Sequence, residues 1–280
     1  MLQVSSEFVV SNGVNIHYYR TGGARPPLVL AHGITDDGLC WAPVADILSH
    51  HYDVIMVDAR GHGISEAPAD GYTLMNLGVE LAGVIQALKL EKPIVLGHSM
   101  GAITTIVLAG LFPDLPRAIL LEDPPPFWMF SESNTRNNEV VNGLSNWIYS
   151  NKRKTRDDLV AEFRKNSPTW PDVELDPWVN SKHRYDLKIT ALINPPDMVS
   201  IDFPKIFRQI TCLALFLSAD SAKGAASGEK DIAKMREMLP QLQVVPVADA
   251  GHNIRREQFV RYMDVVQNFL RPLTYERPTI

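Results

Sequence analysis

One short stretch of the sequence combines a potential nucleophile with flanking glycines. Residues 96–101 read Leu-Gly-His-Ser-Met-Gly and stand between an apolar run typical of a buried strand and a run with helical spacing. In so sharp a turn the serine takes a strained backbone conformation, and the glycines leave room where Cβ atoms would clash. The hydroxyl of Ser99 is then held at the head of a helix, whose dipole favours developing negative charge. This G-x-S-x-G pattern predicts a catalytic serine, the alternative being a glycine-rich turn with an incidental serine.

A catalytic serine needs a base, because its hydroxyl is a poor nucleophile until a base that is itself oriented by a third group takes the proton. Of the eight histidines, His252 lies just past the last predicted strand, where the chain order serine, acid, histidine would put the base. His98 lies inside the turn and points the wrong way, and His62 and His32 are interpreted as structural loop residues. His252 is therefore the predicted base.

Backbone N–H groups are the remaining requirement of acyl transfer, because they stabilise the oxyanion that develops on the substrate. The N–H of Met100 directly follows the predicted nucleophile. The N–H of Ile34 follows the first buried strand, in the sequence Ala-His-Gly-Ile of residues 31–34. We expect these two groups to form the oxyanion hole, with their side chains incidental to that role.

Three carboxylates are candidates for the group that orients His252. Glu122 and Asp123 end an apolar strand and alternate sides of it, so only one of them can face the histidine. Pro124 stiffens the chain directly after Asp123, which suits a fixed acid at a rim, although Asp123 could merely start a loop. Asp220 follows a later strand and is the third candidate.

The elements that must position these residues alternate along the chain. After a hairpin around Asn12, strand-like and helix-like runs repeat up to residue 123 and resume over 205–280, which predicts a mostly parallel sheet with helices on both faces. Residues 124–204 contain no apolar strand run, only helix-like pieces separated by proline-rich stretches. Because long structureless loops are rare in compact domains, we expect this segment to be a helical cap on a core formed by 1–123 and 205–280.

Composition and charge limit the classes of function. The 280 residues are 45% hydrophobic and 21% charged, and they contain no apolar run long enough to span a membrane. The net charge is −5, and the densest basic stretch, 152–156, is followed at once by Asp157 and Asp158. We therefore expect a soluble protein with no nucleic-acid or membrane partner, acting on a small molecule as a monomer or homodimer.

The cysteines and the N-terminus indicate the compartment. Cys40 and Cys212 cannot form a disulfide framework, and both are interpreted as small buried hydrophobic residues. The first ten residues lack a basic region followed by a long apolar stretch, so no signal peptide is predicted. Cytoplasmic localisation is the expectation.

Four motifs together resemble the α/β-hydrolase superfamily, specifically its capped small-molecule hydrolases, over nearly the whole chain. The motifs are HGITDDGLCW, VDARGHGIS, GHSMG and AGH, beginning at His32, Val57, Gly97 and Ala250. The resemblance implies the α/β-hydrolase fold, with a mostly parallel central sheet flanked by helices and an inserted helical cap. It also implies a hydrolase that needs no cofactor and no metal, and a structural role for the loop 58–63.

The resemblance also bears on the choice of acid. Most members carry it in a G-x-x-D turn after the strand that follows the cap, but here residues 218–221 read Ser-Ala-Asp-Ser, so Asp220 stands one residue early. A subset of the family carries the acid at the end of the strand before the cap, where Asp123 stands. The spacings among Ser99, Asp123 and His252 are similar to those of a bacterial hydrolase of vitamin B6 breakdown that cleaves an enamide. Asp123 is the predicted acid, with Asp220 as the second choice.

Residues of the predicted cap offer candidates for substrate binding. Phe127 and Trp128 begin the cap next to the site and are the predicted pocket residues, although rings in a lid often pack in the lid's own core. Several basic side chains could bind a substrate carboxylate, but solvated surface charge is the expected state of each. These are Arg153, Arg156, Arg164, Lys182 and Arg184.

Together these features predict a serine hydrolase that cleaves a carboxylic ester, lactone, or amide or enamide bond of a small molecule through an acyl-enzyme. The resemblance implies ester or lactone cleavage first, with amide or enamide cleavage close behind. Hydrolysis of a C–C bond on the same triad is the alternative within enzymes. A ligand-sensing receptor on a hydrolase fold is the alternative from another class. Dehalogenase and epoxide hydrolase chemistry is disfavoured, because those members carry aspartate where this chain has Ser99.

Overall fold

Eight strands form one sheet in the computed structural model, which describes residues 2–126, 135–193, 195, 197 and 200–273. The strands are β1 Ser5–Ser11, β2 Val14–Arg20, β3 Pro27–Ala31, β4 Asp53–Val57, β5 Ile94–His98, β6 Ala118–Glu122, β7 Leu213–Ser218 and β8 Leu242–Pro246. Their order in the sheet is β1-β2-β4-β3-β5-β6-β7-β8. The pairs β1–β2 and β2–β4 are antiparallel, and all other neighbours are parallel. The predicted α/β class with a mostly parallel sheet is confirmed.

Ten α-helices lie in the described part of the chain. They are α1 Ala42–Leu48, α2 Leu74–Ala87, α3 Met100–Leu111, α4 Thr135–Arg153, α5 Arg156–Asn166, α6 Leu175–His183, α7 Phe203–Gln209, α8 Glu229–Met238, α9 Ile254–Glu257 and α10 Phe259–Leu270. Helices α2, α3, α7 and α8 cover one face of the sheet, and α1 and α10 cover the other. Since helices cover both faces, every residue of β4, β5 and β6 is buried. Apart from Asp53, His98 and Glu122 at the strand ends, the residues of these strands are apolar or glycine.

The turn between β1 and β2 follows from its sequence. Asn12 and Gly13 both have positive φ, at 49° and 77°. A two-residue hairpin turn needs this conformation twice, and Asn-Gly supplies it at little steric cost. The hairpin adds an antiparallel edge to the sheet, away from the strand ends that carry Ser99 and Asp123.

Helices α4, α5 and α6 lie between β6 and β7, and we refer to them as the inserted helices. Helices α4 and α5 cover helix-like pieces of the sequence at 139–151 and 156–166, whereas α6 begins inside the proline-rich stretch 167–178. Pro177 lies in the first turn of α6, where proline is tolerated because its missing N–H has no partner in the helix. These helices have a core of their own, formed by Leu159, Phe163, Trp178 and Val179.

The division of the chain into a core and a cap over 124–204 stays a prediction. Its second boundary falls inside α7 (Phe203–Gln209), which packs against α3: a Cβ on Gly110 would lie 2.5 Å from the backbone oxygen of Ile206. Cys40 is buried as expected, but Cys212 is only partly buried, because it precedes β7 at the rim of the sheet. No helix among the described residues is long and apolar enough to cross a membrane.

Candidate active site

The turn between β5 and α3 holds Ser99 in the strained conformation that its sequence predicts. The residue has φ 53° and ψ −117°, in a region that non-glycine residues rarely adopt. A Cβ on Gly97 would lie 2.2 Å from the backbone oxygen of Gly101, and a Cβ on Gly101 would lie 2.1 Å from that of Ala31. Both contacts are far below van der Waals distance and involve backbone atoms that cannot move aside. Glycine is therefore required at both positions for the serine to stand at the tip of the turn.

Ser99, His252 and Asp123 form a continuous row of hydrogen bonds at the carboxyl ends of the strands. His252 Nε2 lies 3.0 Å from Ser99 Oγ, and His252 Nδ1 lies 2.7 Å from Asp123 Oδ2. The carboxylate is fully buried, whereas the imidazole side chain is 33% exposed. In open α/β sheets this edge is where ligands bind. The structure thus brings together the predicted nucleophile, base and first-choice acid.

Backbone N–H groups from the loop after β7 hold the carboxylate of Asp123. Ala226 N donates to Oδ2 at 2.8 Å, and Ser227 N lies 3.4 Å from Oδ1. The hydroxyl of Ser227 donates to Pro124 O at 2.6 Å, which ties this loop to the chain directly after the acid. Asp123 itself has φ 39°, a left-handed conformation that aspartate tolerates better than most residues. These contacts fix the position of the carboxylate beside the imidazole of His252.

The other two candidate acids have different partners. Asp220 is partly buried and accepts a hydrogen bond from Ala222 N at 2.8 Å, as the N-cap of the short 3₁₀ turn 221–223. Glu122 is buried and accepts from Arg255 N at 3.0 Å and from Arg255 Nη1 at 3.2 Å. Burial raises the pKa of Glu122, and Arg255 offsets only part of that rise. As expected, only one of the two neighbouring carboxylates contacts His252, and the other contacts Arg255.

The two predicted oxyanion donors lie on either side of Ser99. Met100 is the first residue of α3, and the first N–H groups of a helix have no partner within it. The backbone before Ile34 runs beside the nucleophile, since a Cβ on Gly33 would lie 3.6 Å from that of Ser99. His62 Nε2 is 2.8 Å from Ile34 O, which fixes the peptide on the other side of this residue. Burial lowers the pKa of His62 to about 4, against the hydrogen bonds of its ring to Ile34 O and Arg60 O, which raise it.

Two further contacts hold the loop that carries Ile34. His32 Nε2 accepts from Ala59 N at 3.0 Å, while its Nδ1 donates to Gly33 O at 2.8 Å. The carboxylate of Asp58 accepts from Gly38 N at 2.7 Å, at the other end of the loop. The contacts of His32 and His62 agree with their interpretation as structural residues, because both bind backbone atoms of neighbouring loops.

His98 lies next to the nucleophile and faces the His252 loop. Its Nε2 donates to the backbone oxygen of His252 at 3.0 Å. Burial lowers the pKa of His98 far below its ordinary value, and the nearby charges of Arg255 and His252 lower it further. A neutral ring bonded to a backbone carbonyl supports the loop and is not placed to take the proton of Ser99.

A cleft of about 610 Å³ opens above Ser99 and His252. This volume is within the usual range for small-molecule sites. Among the described residues, the wall opposite the serine comes from the inserted helices and the turn that joins α5 to α6. It contains Leu144, Trp147, Phe163, Trp170 and Trp178. The predicted pocket residues Phe127 and Trp128 lie outside the described residues. Within those residues, no group of three or more His, Cys, Asp or Glu side chains is arranged to hold a metal ion.

The expectation of solvated charge is wrong for Lys182, which is fully buried. Its ammonium group donates to Thr35 O at 2.8 Å and lies 3.5 Å from Asp36 Oδ1. Burial lowers the pKa of Lys182, against the opposing charge of Asp36. The acid that compensates the lysine comes from a loop far away in sequence, so the periodicity of α6 could not reveal it. Arg153, Arg156 and Arg164 are exposed as expected, and Arg184 is partly exposed beside Asp37.

Lys182 belongs to a buried charged cluster that sequence analysis missed. The cluster contains three cations and three anions: Lys182, Arg255, Arg256, Asp36, Glu122 and Glu174. One signal for it was present in the sequence. Asp36 and Asp37 lie in the motif HGITDDGLCW, directly after the predicted oxyanion donor and Thr35. Arg255 and Arg256 follow the AGH motif of the predicted base, so two segments expected to meet carry opposite charges.

Comparisons with known proteins agree with this architecture. The family model described as alpha/beta hydrolase fold matches residues 26–254. N-formylmaleamate deformylase of Pseudomonas putida is 30% identical over 265 residues, which cover 94% of this chain and 95% of that protein. 2-(Acetamidomethylene)succinate hydrolase of Mesorhizobium japonicum is 25% identical over 281 residues, which cover 95% of this chain and 97% of that protein.

A solved structure extends the similarity to three dimensions. The crystal structure of an N-formylmaleamic acid deformylase from Pseudomonas putida S16 matches with a TM-score of 0.76 at 25% identity. The match covers 94% of this chain and 100% of that one. A family model spanning most of the sequence, relatives of matching length and a shared fold all agree with the motifs of the sequence. The chain belongs to the α/β-hydrolase fold family.

Proposed function

We propose that this α/β-hydrolase is a cofactor-free serine hydrolase that cleaves the bond between an acyl carbonyl and a nitrogen atom in a small carboxylic acid. The observation that carries the proposal is the row of hydrogen bonds from Ser99 through His252 to Asp123, open to a cleft of small-molecule size. A serine, a base and an orienting acid in this geometry are the components of acyl transfer through a covalent intermediate.

In the first half-reaction His252 Nε2 takes the proton of Ser99 Oγ as that oxygen attacks the acyl carbon. Asp123 holds the Nδ1–H and stabilises the imidazolium that forms. The N–H groups of Ile34 and Met100 bind the oxyanion of the tetrahedral intermediate. His252 then gives its proton to the departing nitrogen, and the acyl group remains as an ester of Ser99.

In the second half-reaction a water molecule replaces the nitrogen. His252 takes one proton of that water while the oxygen attacks the acyl-serine carbon, again with the oxyanion bound by the two N–H groups. Collapse of the intermediate returns the proton to Ser99 Oγ and releases the carboxylic acid. The net reaction adds one water molecule across the C–N bond, and no electron acceptor or metal takes part.

The relatives favour C–N cleavage over the ester and lactone cleavage that the sequence motifs put first. The names N-formylmaleamate and 2-(acetamidomethylene)succinate both describe a small acyl group on a nitrogen that is conjugated with a carbonyl group or a double bond. Conjugation stabilises the departing nitrogen, so such bonds break more readily than those of ordinary alkyl amides. An esterase-like triad is therefore chemically sufficient for them.

Both names also describe a carboxylate, and the described part of the cleft offers a cation for one. Arg256 and Lys223 line it. Arg256 is already held by Asp36 and Glu174, whereas Lys223 is exposed on the turn after β7. We propose that Lys223 meets a substrate carboxylate. A Lys223→Gln variant is then expected to raise the KM of carboxylate substrates about threefold and to leave that of neutral esters unchanged.

The test is a substrate panel with the purified protein. N-formylmaleamate, 2-(acetamidomethylene)succinate and uncharged esters and lactones of similar size would be compared by kcat/KM, with Ser99→Ala as the control. The proposal predicts kcat/KM at least about tenfold higher for the N-acyl acids, and loss of turnover in the variant. Turnover of esters or lactones alone would contradict the substrate class. Release of a single equivalent of product without further turnover would favour the ligand-sensing receptor instead.

A further inference from the structure

The guanidinium of Arg256 donates hydrogen bonds to three segments of the chain that surround the cleft. Its Nε donates to Glu174 Oε2 at 2.9 Å, its Nη2 to Asp36 Oδ2 at 3.1 Å, and its Nη1 to Asn253 Oδ1 at 3.1 Å. Arg256 is only 2% exposed, so these bonds are shielded from water. Each edge of the planar group is thus bonded to a different segment of the chain.

Each of these segments has its own part in the proposed reaction. Asp36 lies two residues after Ile34, in the loop that carries a proposed oxyanion donor. Asn253 directly follows His252, the proposed base. Glu174 is the N-cap residue of α6 and belongs to the inserted helices that roof the cleft. One rigid side chain therefore connects the roof to both loops beside Ser99.

A ring contact strengthens the connection to the roof. The guanidinium carbon of Arg256 lies 4.9 Å from the centroid of Trp170, within the range of a cation–π interaction. Trp170 lines the cleft. A substrate that fills the cleft would press on this ring and hence on the arginine behind it. Lysine could not replace the arginine here, because it lacks a planar fork that bonds several partners at fixed angles.

Neighbouring cations keep Asp36, one of the partners of Arg256, in its charged form. Burial alone would raise the pKa of Asp36, but Arg256, Lys182 and Arg255 outweigh burial and hold that pKa well below its ordinary value. Glu174, bonded to Arg256, is 1% exposed. Without Glu174, the buried charge of Arg256 would be balanced by Asp36 alone, and the attraction between these two groups would no longer be opposed. A change at Glu174 is therefore transmitted through Arg256 to the loop of Asp36.

We propose that Arg256 is a positioning residue that couples the inserted helices to the oxyanion loop and to the loop of His252. The inference rests on the proposed roles of Ile34 and His252. It predicts that a change in the roof, remote from Ser99, lowers the rate of the chemical step even for a substrate too small to touch the roof. A residue that only held the inserted helices in the fold would change the stability or the KM and leave kcat for a small substrate unchanged.

The test uses Glu174→Gln and Asp36→Asn, singly and together, because each keeps the shape of its side chain. The exposed pair of Arg164 and Asp172 provides the control, because Arg164→Gln removes an ion pair at the turn that carries Glu174 without removing a bond to Arg256. Two reactions would be measured: kcat and KM with a small chromogenic acetate ester, and the rate of Ser99 labelling by a small fluorophosphonate. Labelling reports the reactivity of the serine without any natural substrate, so the test does not depend on which acyl compound the enzyme hydrolyses.

The proposal predicts that Glu174→Gln lowers both kcat for the small ester and the labelling rate about tenfold, with little change in KM. Asp36 also bonds Arg255 and Lys182, so Asp36→Asn should have the larger effect. The double variant should be little worse than Asp36→Asn, because the effect of Glu174→Gln reaches the loop of Asp36 through Arg256. Arg164→Gln should match the wild-type protein. An unchanged kcat and labelling rate in Glu174→Gln would overturn the inference, as would losses that multiply in the double variant. If the wild-type protein is labelled and hydrolyses the ester but not the N-acyl acids, the proposed substrate class fails while the coupling is still measured.

Discussion

The ends of β6 and β7 are adjacent in the sheet, and each is followed by an aspartate, yet the two residues differ in every contact. Asp123, after β6, is fully buried, bonded to His252 and held by two N–H groups. Asp220, after β7, is partly exposed and caps a short turn. The loop after β7 therefore does not present an acid to His252. It supplies Ala226 N and Ser227 N to the acid of the neighbouring strand.

The difference shows how an acid can occupy either of two strand ends without a change of fold. Strands β6 and β7 are parallel neighbours in register, with Glu122 opposite Leu217, so both ends approach the same histidine. What distinguishes them is the backbone that surrounds the carboxylate. An aspartate needs N–H donors and burial to hold an imidazole at a fixed angle, and the loop 225–228 provides both for Asp123.

The largest loss of kcat is expected when Asp123, after β6, loses its carboxylate. The same change at Asp220, after β7, should have little effect. Asp123→Asn keeps the shape of the side chain but favours the wrong tautomer of His252, and an equivalent change elsewhere lowers kcat about 10⁴-fold. Asp220→Asn should keep kcat within about threefold of the wild-type value, because its carboxylate bonds only a turn. Steady-state kinetics of the two variants with one substrate check this. The reverse ranking would move the predicted acid to β7.

A smaller effect should follow from loosening the support that the β7 loop gives to Asp123. Ser227→Ala removes the hydrogen bond to Pro124 O while leaving the backbone N–H groups in place. We expect kcat to fall about fivefold and the free energy of unfolding to fall by about 1 kcal/mol, as for the loss of a typical buried hydrogen bond. Chemical denaturation and kinetics on the same preparation provide the measurement, with Ser221→Ala on the exposed turn as a control. Equal behaviour of the two serine variants would show that the loop does not support the acid.

The smallest effect on activity should come from the neighbouring carboxylate on β6. Glu122→Gln removes a buried charge that faces Arg255 and not His252, so kcat should change less than about threefold. The main effect of Glu122→Gln is expected on how the free energy of unfolding depends on pH. Because burial raises the pKa of Glu122 above its ordinary value of 4.5, the folded state binds the proton more tightly than the unfolded state. Its contribution to stability is complete below pH 4.5 and is lost as the pH rises through the raised pKa.

The variant lacks this titration. The wild-type protein should therefore lose stability relative to Glu122→Gln as the pH rises from about 4.5 towards neutrality. The free energy of unfolding of the variant minus that of the wild-type protein increases over this range. Urea denaturation across this range measures the difference. A pH-independent difference would mean that Glu122 stays charged in the folded protein, paired with Arg255.

Local sequence was sufficient for the features that depend on local constraints. The glycines around Ser99 predict the turn, because no other residue fits there. The apolar runs predict strands that are covered on both faces. The ranking of Asp123 above Asp220 needed the family resemblance as well, since both follow a strand. The role of Asp123 as the catalytic acid stays a prediction, which its hydrogen bond to His252 supports.

Long-range charge compensation could not be predicted in the same way. Lys182 looks like a surface residue until Asp36, from the loop after β3, is placed beside it. The support of Asp123 by Ala226 and Ser227 is equally invisible in sequence, because backbone N–H groups carry no residue signature. Helix α6 was missed because prolines suggested a loop, although a proline in the first turn does not prevent a helix.

The central claim, that Ser99 carries the acyl group during turnover, is tested most directly by intact-mass spectrometry after rapid acid quench. The wild-type protein would be mixed with 2-(acetamidomethylene)succinate and quenched within the first turnover. The proposed reaction predicts an increase equal to one acetyl group, mapped to the peptide that contains Ser99 and absent from Ser99→Ala. Turnover by the wild-type protein with no adduct at any quench time, together with retained activity of Ser99→Ala, would contradict it.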